Sequence, residues 1–416
     1  MDLGIENVLL NGQLSNIYVK NAKIEYIGSE KKSAIKTINA QNKAAVPSLV
    51  NGHTHAAMTL FRGYGDDMKL QEWLQQKIWP REALLTPEDI YWGTKLACLE
   101  MIKCGVTLFN DMYWHNREAV KAVEEMGIRA FISEIFIDIP GMQTKKHDEK
   151  AQEALNDFKN YDPRIKLTLG PHAIYTCETQ TLEFVKTFAQ QNNIPVHIHL
   201  SETKKEIDDC IAQHGKRPVH YLEEIGFFEA DVIAAHCVWL QNEELDILKQ
   251  RNVKIIHNPI ANFKLAVGEL LPYTEIKNRK IPFCLGTDGC ASNNNLDIFE
   301  EIKFAALVHK WKINDPTIMN CNEVWHAATT TAHKIFDIDA GEIKQGKLAD
   351  FLLVDLNHPQ MVPCHNLTSN LVYAGNGSIV DTVICNGQIV MENRYVSGEE
   401  EIILQAKKVT KKLFSR

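Results

Sequence analysis

The chain has 416 residues, is 45% hydrophobic and 24% charged, and carries a net charge of -8. That is enough apolar material for a large barrel plus a smaller unit. The acidic balance excludes a basic nucleic-acid footprint, and no apolar run reaches membrane-spanning length. The opening Met1-Asp2-Leu3-Gly4-Ile5-Glu6 has no positively charged region followed by an apolar core. Ten cysteines show no Cys-x-x-Cys pair, so the expectation is reduced, mostly buried thiols in a cytoplasmic protein.

Residues 1 to about 47 read as strands. Asn16–Lys20, the Asn21-Ala22 turn and Lys23–Gly28 form a hairpin of alternating pattern. The pattern then changes to apolar strand followed by amphipathic helix. Eight strand candidates follow, over 48–55, 106–111, 129–135, 166–172, 195–202, 232–237, 254–259 and 282–288. Helical spacing separates them, as in Trp92, Leu96, Leu99 and Ile102. The fold class is therefore α/β, a TIM-type (β/α)8 barrel over 48–349. Strands resume at Phe351–Asp355 and in a hairpin around Asn386-Gly387, which suits a type I′ turn. A helix over about 400–414 closes the chain. Residues 1–47 and 350–416 are expected to pack together as one small β-sandwich. The stretch around Trp311 and Trp325 reads as core packing.

In such a barrel, chemistry sits where the strands end. The first strand ends His53-Thr54-His55, the fourth at His172, and the fifth runs His197-Ile198-His199-Leu200-Ser201-Glu202. The sixth ends at His236 and the eighth at Asp288. Residues i and i+2 of a strand share a face, so His53 and His55 can aim two imidazoles at one point. Four histidine-bearing strand ends and a carboxylate at a fifth are hard to assign to chance. His53, His55, His199 and Asp288 form a nitrogen and oxygen ligand set suited to one divalent metal, Zn²⁺ with Fe²⁺ as the alternative. An ion there would generate hydroxide near neutral pH. Glu202 can shuttle a proton, His236 can hydrogen-bond the attacking water, and Asp288 can take the water proton. His172, in a loop over the site, is read as a substrate contact.

Other histidines carry less. His197 lies one pleat deeper and reads as a packing or hydrogen-bonding residue. His257 has no clear place, and His214, His220, His309, His326 and His333 read as structural or surface. His147-Asp148-Glu149 matches half of a cytidine-type deaminase motif. The matching Pro-Cys-x-x-Cys is absent, so this stretch reads as exposed helix.

Longer segments carry a resemblance. They are Pro47–His55, Thr59–Asp67, Glu72-Trp73-Leu74, Trp79-Pro80-Arg81-Glu82, Gly170–Tyr175, His197–Glu202, Ala234–Val238, His257-Asn258-Pro259 and Gly286–Asn294. On these the chain resembles the amidohydrolase superfamily, a group of metal-dependent hydrolases. Within it, the chain is similar to the 5′-methylthioadenosine/S-adenosylhomocysteine deaminase family. The resemblance implies hydrolytic deamination of adenine at C6 in a small 5′-modified nucleoside, with no nucleic-acid or membrane partner. It repeats the metal set above and the Glu202 and His236 proton-transfer pair. It adds Glu82 on the ribose hydroxyls, His172 on the purine, and contacts from Trp73, Glu202 and Asp288 to the substrate. It leaves self-association open.

There is one departure from the family pattern. The arginines that hold the amino-acid carboxylate of S-adenosylhomocysteine are missing from Ser133–Met142, so an apolar or uncharged 5′ group is expected. Asp138 is expected to repel a zwitterionic tail, unless Lys145 or Lys146 reaches it. Aminodeoxyfutalosine deamination, a guanine or cytosine deaminase, and a triazine-type chlorohydrolase on the same scaffold are the alternatives. A metal-binding scaffold without catalysis is a further one.

Overall fold

The computed structural model describes residues 1–139 and 146–416. Five strands lead the chain: β1 (Leu3–Leu10), β2 (Gln13–Lys20), β3 (Lys23–Gly28), β4 (Lys36–Asn39) and β5 (Lys43–Pro47). Eight follow: β6 (Leu49–Thr54), β7 (Val106–Asp111), β8 (Arg129–Phe136), β9 (Ile165–Pro171), β10 (Val196–Leu200), β11 (Val232–His236), β12 (Lys254–His257) and β13 (Phe283–Leu285). Three close it: β14 (Phe351–Asp355), β15 (Val380–Cys385) and β16 (Gln388–Met391).

Strands β6 to β13 form one parallel sheet in chain order, the barrel expected from the sequence. Nearly every residue in them is buried, because helices cover the outer face and side chains fill the interior. The ladder between β13 and β6 is replaced by specific bonds. The Asp288 N–H donates to His53 O at 3.0 Å. The Asn51 carboxamide accepts from Thr287 N at 3.0 Å and donates to Thr287 Oγ1 at 2.7 Å. The seam is thus held together at the end of the barrel where the histidines lie.

The helix Pro87–Lys103 shows how the outer layer is specified. Thr86 and Asp89 form a reciprocal capping box, and Pro87 takes the first turn, where its missing N–H costs nothing. Its buried residues, Ile90, Ala97, Met101 and Ile102 among them, face the barrel. The C-terminal helix Glu399–Leu413 packs on it through Ile402, Ala406, Val409 and Leu413, spaced by one turn.

The remaining strands make a second sheet in the order β16-β15-β14-β5-β1-β2-β3, with β4 beside β1. Hydrogen bonding makes it one sheet, folded over its own core. Ile24 N–H donates to Lys347 O at 2.9 Å and Ala349 N–H to Ala22 O at 2.8 Å, which brings the β2–β3 hairpin onto the start of β14. Ile5, Ile17, Ile24, Ile38, Phe351, Leu353 and Ile384 fill the space between. Alternation does the sorting: Phe351 and Leu353 enter this core, while Leu352 and Val354 join the cluster on the barrel side. Asn386 and Gly387 both have positive φ, as a type I′ turn requires.

Two strand ends and one side chain differ from the sequence reading. Pro259 opens the helix Pro259–Lys264 instead of ending β12, since proline suits a first helical turn and removes a ladder donor. The eighth barrel strand is only three residues long, and the Gly286 N–H just past it still donates to His257 O at 3.0 Å. Trp325 is buried, but Trp311 is 81% exposed on the outer face of the helix Ile298–Ile313. Helical spacing alone did not distinguish those two faces.

Candidate active site

The ends of β6, β9, β10, β11 and the turn after β13 converge on one cleft. The space between them, open solvent at the mouth included, is about 690 Å³. His55, Trp73, Glu82, His172, His199, Glu202, His236 and Asp288 all line it. His53 lies just beneath, fully buried. Three strand-end residues take left-handed backbone: Ser201 at φ 51°, His236 at 70° and Asp288 at 62°. Such conformations are costly for residues other than glycine and cluster at functional sites. Here they turn the chain sharply as each strand ends.

His55 Nε2 lies 3.2 Å from Asp288 Oδ1 and 3.3 Å from His199 Nε2. His53 Nε2 lies 3.4 Å from the same Asp288 oxygen. Atoms at the corners of a tetrahedron with arms of about 2.0–2.1 Å stand about 3.3 Å apart, so these spacings suit a bound zinc-sized ion. Among the described residues none makes a hydrogen bond to the buried His53 Nε2. His53, His55 and Asp288 form one candidate ligand group, and His53, His199 and His236 a second, overlapping one.

What aims these rings is the other nitrogen of each. His55 Nδ1 donates to Met112 O at 2.6 Å and His199 Nδ1 to His172 O at 2.7 Å. A carbonyl only accepts, so both rings carry the proton on Nδ1 and turn the Nε2 lone pair to the centre. His53 Nδ1 meets His197 Nε2 at 2.9 Å, giving His197 the hydrogen-bonding role read from its deeper position. His236 Nδ1 meets Asn262 Oδ1 at 2.8 Å. Asp288 is fixed by Ser292 Oγ at 2.7 Å and Gly289 N at 2.8 Å.

The electrostatics favour positive charge at the centre. Burial pushes His53 down to about 4, so its lone pair is free. Burial also lowers His55, but the Asp288 carboxylate outweighs it and lifts the value to about 9. Burial disfavours an Asp288 charge too, yet the imidazoles of His53 and His55 beside it, at 3.4 and 3.2 Å, hold the carboxyl well below its usual range. With no ion bound, the His55 Nε2 beside Asp288 holds a proton, and a metal cation takes that place by displacing it, which is how a site that favours positive charge becomes a metal site.

Glu202 behaves differently: burial raises its pKa, and His236 Nδ1 at 3.9 Å only partly opposes that. Glu82 ends the helix Trp79–Glu82 at the mouth, beside Tyr113 and Trp114, with its pKa also raised by burial. His172 is pushed to about 3 by burial. Its Nδ1 lies 2.9 Å from Thr176 Oγ1, whose own proton goes to Ala173 O. His172 therefore donates from Nδ1 and turns an acceptor Nε2 toward the cleft.

The wall facing the mouth is apolar, with Ile135, Ile137, Leu70, Trp73 and Leu74. Asp138 is not part of it. Its carboxylate accepts from Glu178 N at 2.7 Å and pairs with His147 Nε2 at 2.9 Å. The expected repulsion from Asp138 is thus withdrawn, and His147 is half-buried instead of exposed. Met142 and Lys145 lie outside the described residues.

Some supporting residues were not read from the sequence. Asp111 accepts from Ala56 N at 2.7 Å, and Glu206 from Ser201 and Glu202 N–H groups. Thr203-x-x-Glu206 is a capping-box pattern, so a signal for Glu206 existed. His257 pairs with buried His309 at 3.1 Å behind the site.

A sequence-family model described as Amidohydrolase family matches residues 44–390. A 5′-deoxyadenosine deaminase of Methanoregula boonei is 48% identical, over 91% of this chain and 86% of that protein. A 5-methylthioadenosine/S-adenosylhomocysteine deaminase of Archaeoglobus fulgidus is 45% identical, over 96% and 95%. Among solved structures, an adenosine deaminase from Xanthomonas campestris with bound zinc superposes with a TM-score of 0.94 at 32% identity, over 100% of this chain and 99% of that one.

Proposed function

The chain belongs to the amidohydrolase family, and from that premise we propose that it is a metal-dependent deaminase acting at C6 of adenine in a 5′-modified adenosine. The products are ammonia and the matching inosine compound. The observation that carries this reading is the 3.2–3.4 Å spacing of imidazole nitrogens and the Asp288 carboxylate beside a buried acid, Glu202, in one cleft. His53, His55, His199 and Asp288 would hold the ion. Zinc suits their nitrogen and oxygen donors. When bound, it would supply a Lewis acid that lowers the pKa of water.

The remaining steps belong to side chains. Glu202, whose hold on a proton is strengthened by burial, gives that proton to a ring nitrogen as the oxygen of water bonds to C6. Asp288 accepts a proton from that water. His236, oriented by Asn262, hydrogen-bonds the water through its other nitrogen. The C6–N bond then breaks as Asp288 passes its proton to the amino group, which leaves as ammonia, and the proton of the new C6 hydroxyl returns to Glu202 as the carbonyl forms. In the balance, one water proton ends on the ring and the other on ammonia. Glu82 accepts hydrogen bonds from both ribose hydroxyls. His172 meets the purine.

Ile135, Ile137 and Trp73 face the 5′ group in this reading. Ser133–Ile139 contains no arginine, so nothing there pairs a carboxylate tail. Substrate preference then rests on an apolar wall and a missing cation. The ribose contact favours a nucleoside over the free-base and triazine readings. Ammonia release from adenine, adenosine, 5′-deoxyadenosine, 5′-methylthioadenosine and S-adenosylhomocysteine tests this. The 5′-deoxy and 5′-methylthio compounds should lead in kcat/KM, S-adenosylhomocysteine should follow, and adenine should be very poor. Adenine turned over as well as the nucleosides would remove the role given to Glu82.

A further inference from the structure

Glu206 sits on the first turn of the helix Lys204–His214, away from the cleft lining. Its carboxylate reaches back over the strand end that bears Glu202. One oxygen accepts from Ser201 N and the other from Glu202 N, both at 2.8 Å. Ser201 has left-handed backbone, so these successive N–H groups leave the ladder and need partners. The carbonyls of the same two peptides are also engaged. Leu200 O accepts from Cys237 N at 2.9 Å, and Ser201 O from Trp239 N at 2.8 Å. Each peptide is therefore pinned at both ends, by Glu206 on one side and by the loop after His236 on the other.

The helix start did not demand this arrangement. A glutamate at this position of a capping box ordinarily returns to the cap residue's own N–H. Here Thr203 Oγ1 accepts from Glu206 N in the usual way, and the Glu206 carboxylate, while still drawing on the Thr203 N–H, makes its 2.8 Å bonds to residues 201 and 202. Glu206 is buried, and burial raises its pKa to about 8, so placing it there costs stability. A buried acid spanning two successive peptides at a left-handed residue, next to a proton-transfer group and at a cost to the fold, marks a functional constraint.

We propose that Glu206 is a positioning residue for the deamination, holding the backbone of residues 201–202 so that the Glu202 carboxyl meets the ring nitrogen. This rests on the reading of Glu202 as the proton donor. Glu206→Gln keeps the shape but replaces one acceptor with an amide that faces a backbone N–H, so donor meets donor. A small displacement of a catalytic group costs about 10²-fold in rate. The measurement is kcat and KM for 5′-deoxyadenosine, with metal content, in wild type, E206Q, E202Q and the double variant. The expected result is a fall of about 10²-fold in kcat for E206Q, with KM and metal content nearly unchanged. The double variant should be no slower than E202Q, because Glu206 acts only through Glu202. A purely structural role would move melting temperature and leave kcat per folded, metal-loaded enzyme at the wild-type level, which overturns the proposal. Multiplied losses in the double variant overturn it as well. E202Q with wild-type kcat would overturn the Glu202 reading instead, a separate outcome. Should E206Q fail to fold, Glu206→Asp carries the same cycle, since it keeps the charge but falls one methylene short of both N–H groups.

Discussion

The two ends of the barrel obey opposite rules. At the N-terminal end, Arg129 opens β8 in a buried position. Its Nε donates to Asp350 Oδ2 at 2.6 Å, and a terminal nitrogen donates to Asn386 Oδ1 at 2.7 Å. Asp350 also accepts from Asn386 N at 2.5 Å. These charges are matched within the chain, and they lock the second sheet to the barrel. At the C-terminal end, His53 Nε2, Asp111 Oδ2 and Ser201 Oγ are buried without hydrogen-bond partners among the described residues. Burial holds the acids Asp111 and Glu206 far above their usual range. The Arg129, Asp350 and Asn386 cluster pairs its charges and stabilises the fold. The other end turns His53 Nε2 toward the place of an ion, beside a cleft open to a substrate. Sites in this architecture sit at that second end, and the polar accounting of this molecule locates it without reference to any relative.

That contrast can be broken by experiment. The largest effect is expected from His199→Ala. Elemental analysis should show one divalent metal per chain in wild type and almost none in the variant, with turnover reduced to background. The metal-free forms should differ in melting too, because the buried ring's bond to His172 O is lost with it, so metal content and turnover are read per folded molecule. A metal-free wild type with full activity would end the metal reading. Next is Glu202→Gln, with metal retained and kcat down roughly 10²–10⁴-fold.

Arg129→Met tests the other end. Leaving Asp350 buried without its partner should cost about 3–5 kcal/mol in denaturant unfolding. The kcat of the surviving folded enzyme should match wild type. Loss of turnover per folded molecule would show that the two ends are not separate.

The smallest effect is a pH dependence. Asp111 has a folded pKa of about 6, raised by burial from the ordinary 3.8. The folded state then holds a proton that the unfolded state releases above pH 4. The contribution of this group to stability is therefore lost as pH rises from about 4 to about 6, and changes little above that. Two pKa units are worth on the order of 3 kcal/mol at most. In chelator-treated protein, Asp111→Asn should flatten the slope of unfolding free energy over that range. An unchanged slope would place the proton elsewhere.

Much of this molecule was legible in one dimension. Eight apolar runs separated by amphipathic helices specify a parallel barrel, because a strand covered on both faces has no polar side to show. Period-two alternation and an Asn-Gly turn specify the terminal β unit in the same local way. The histidines were legible too, since strand ends in this architecture share one rim and His53-Thr54-His55 needs only the pleat to bring two rings together. Tertiary structure alone decided which nitrogen each ring presents, because that depends on carbonyls such as Met112 O and His172 O from other strands. It alone turned Asp138 toward Glu178 N and away from the cleft, and Trp311 outward while Trp325 packed inward. It alone put Glu206 behind Glu202. Periodicity and spacing encode which face a residue occupies on its own element. The partner that completes a hydrogen bond comes from distant chain, and only the closed barrel brings the two together.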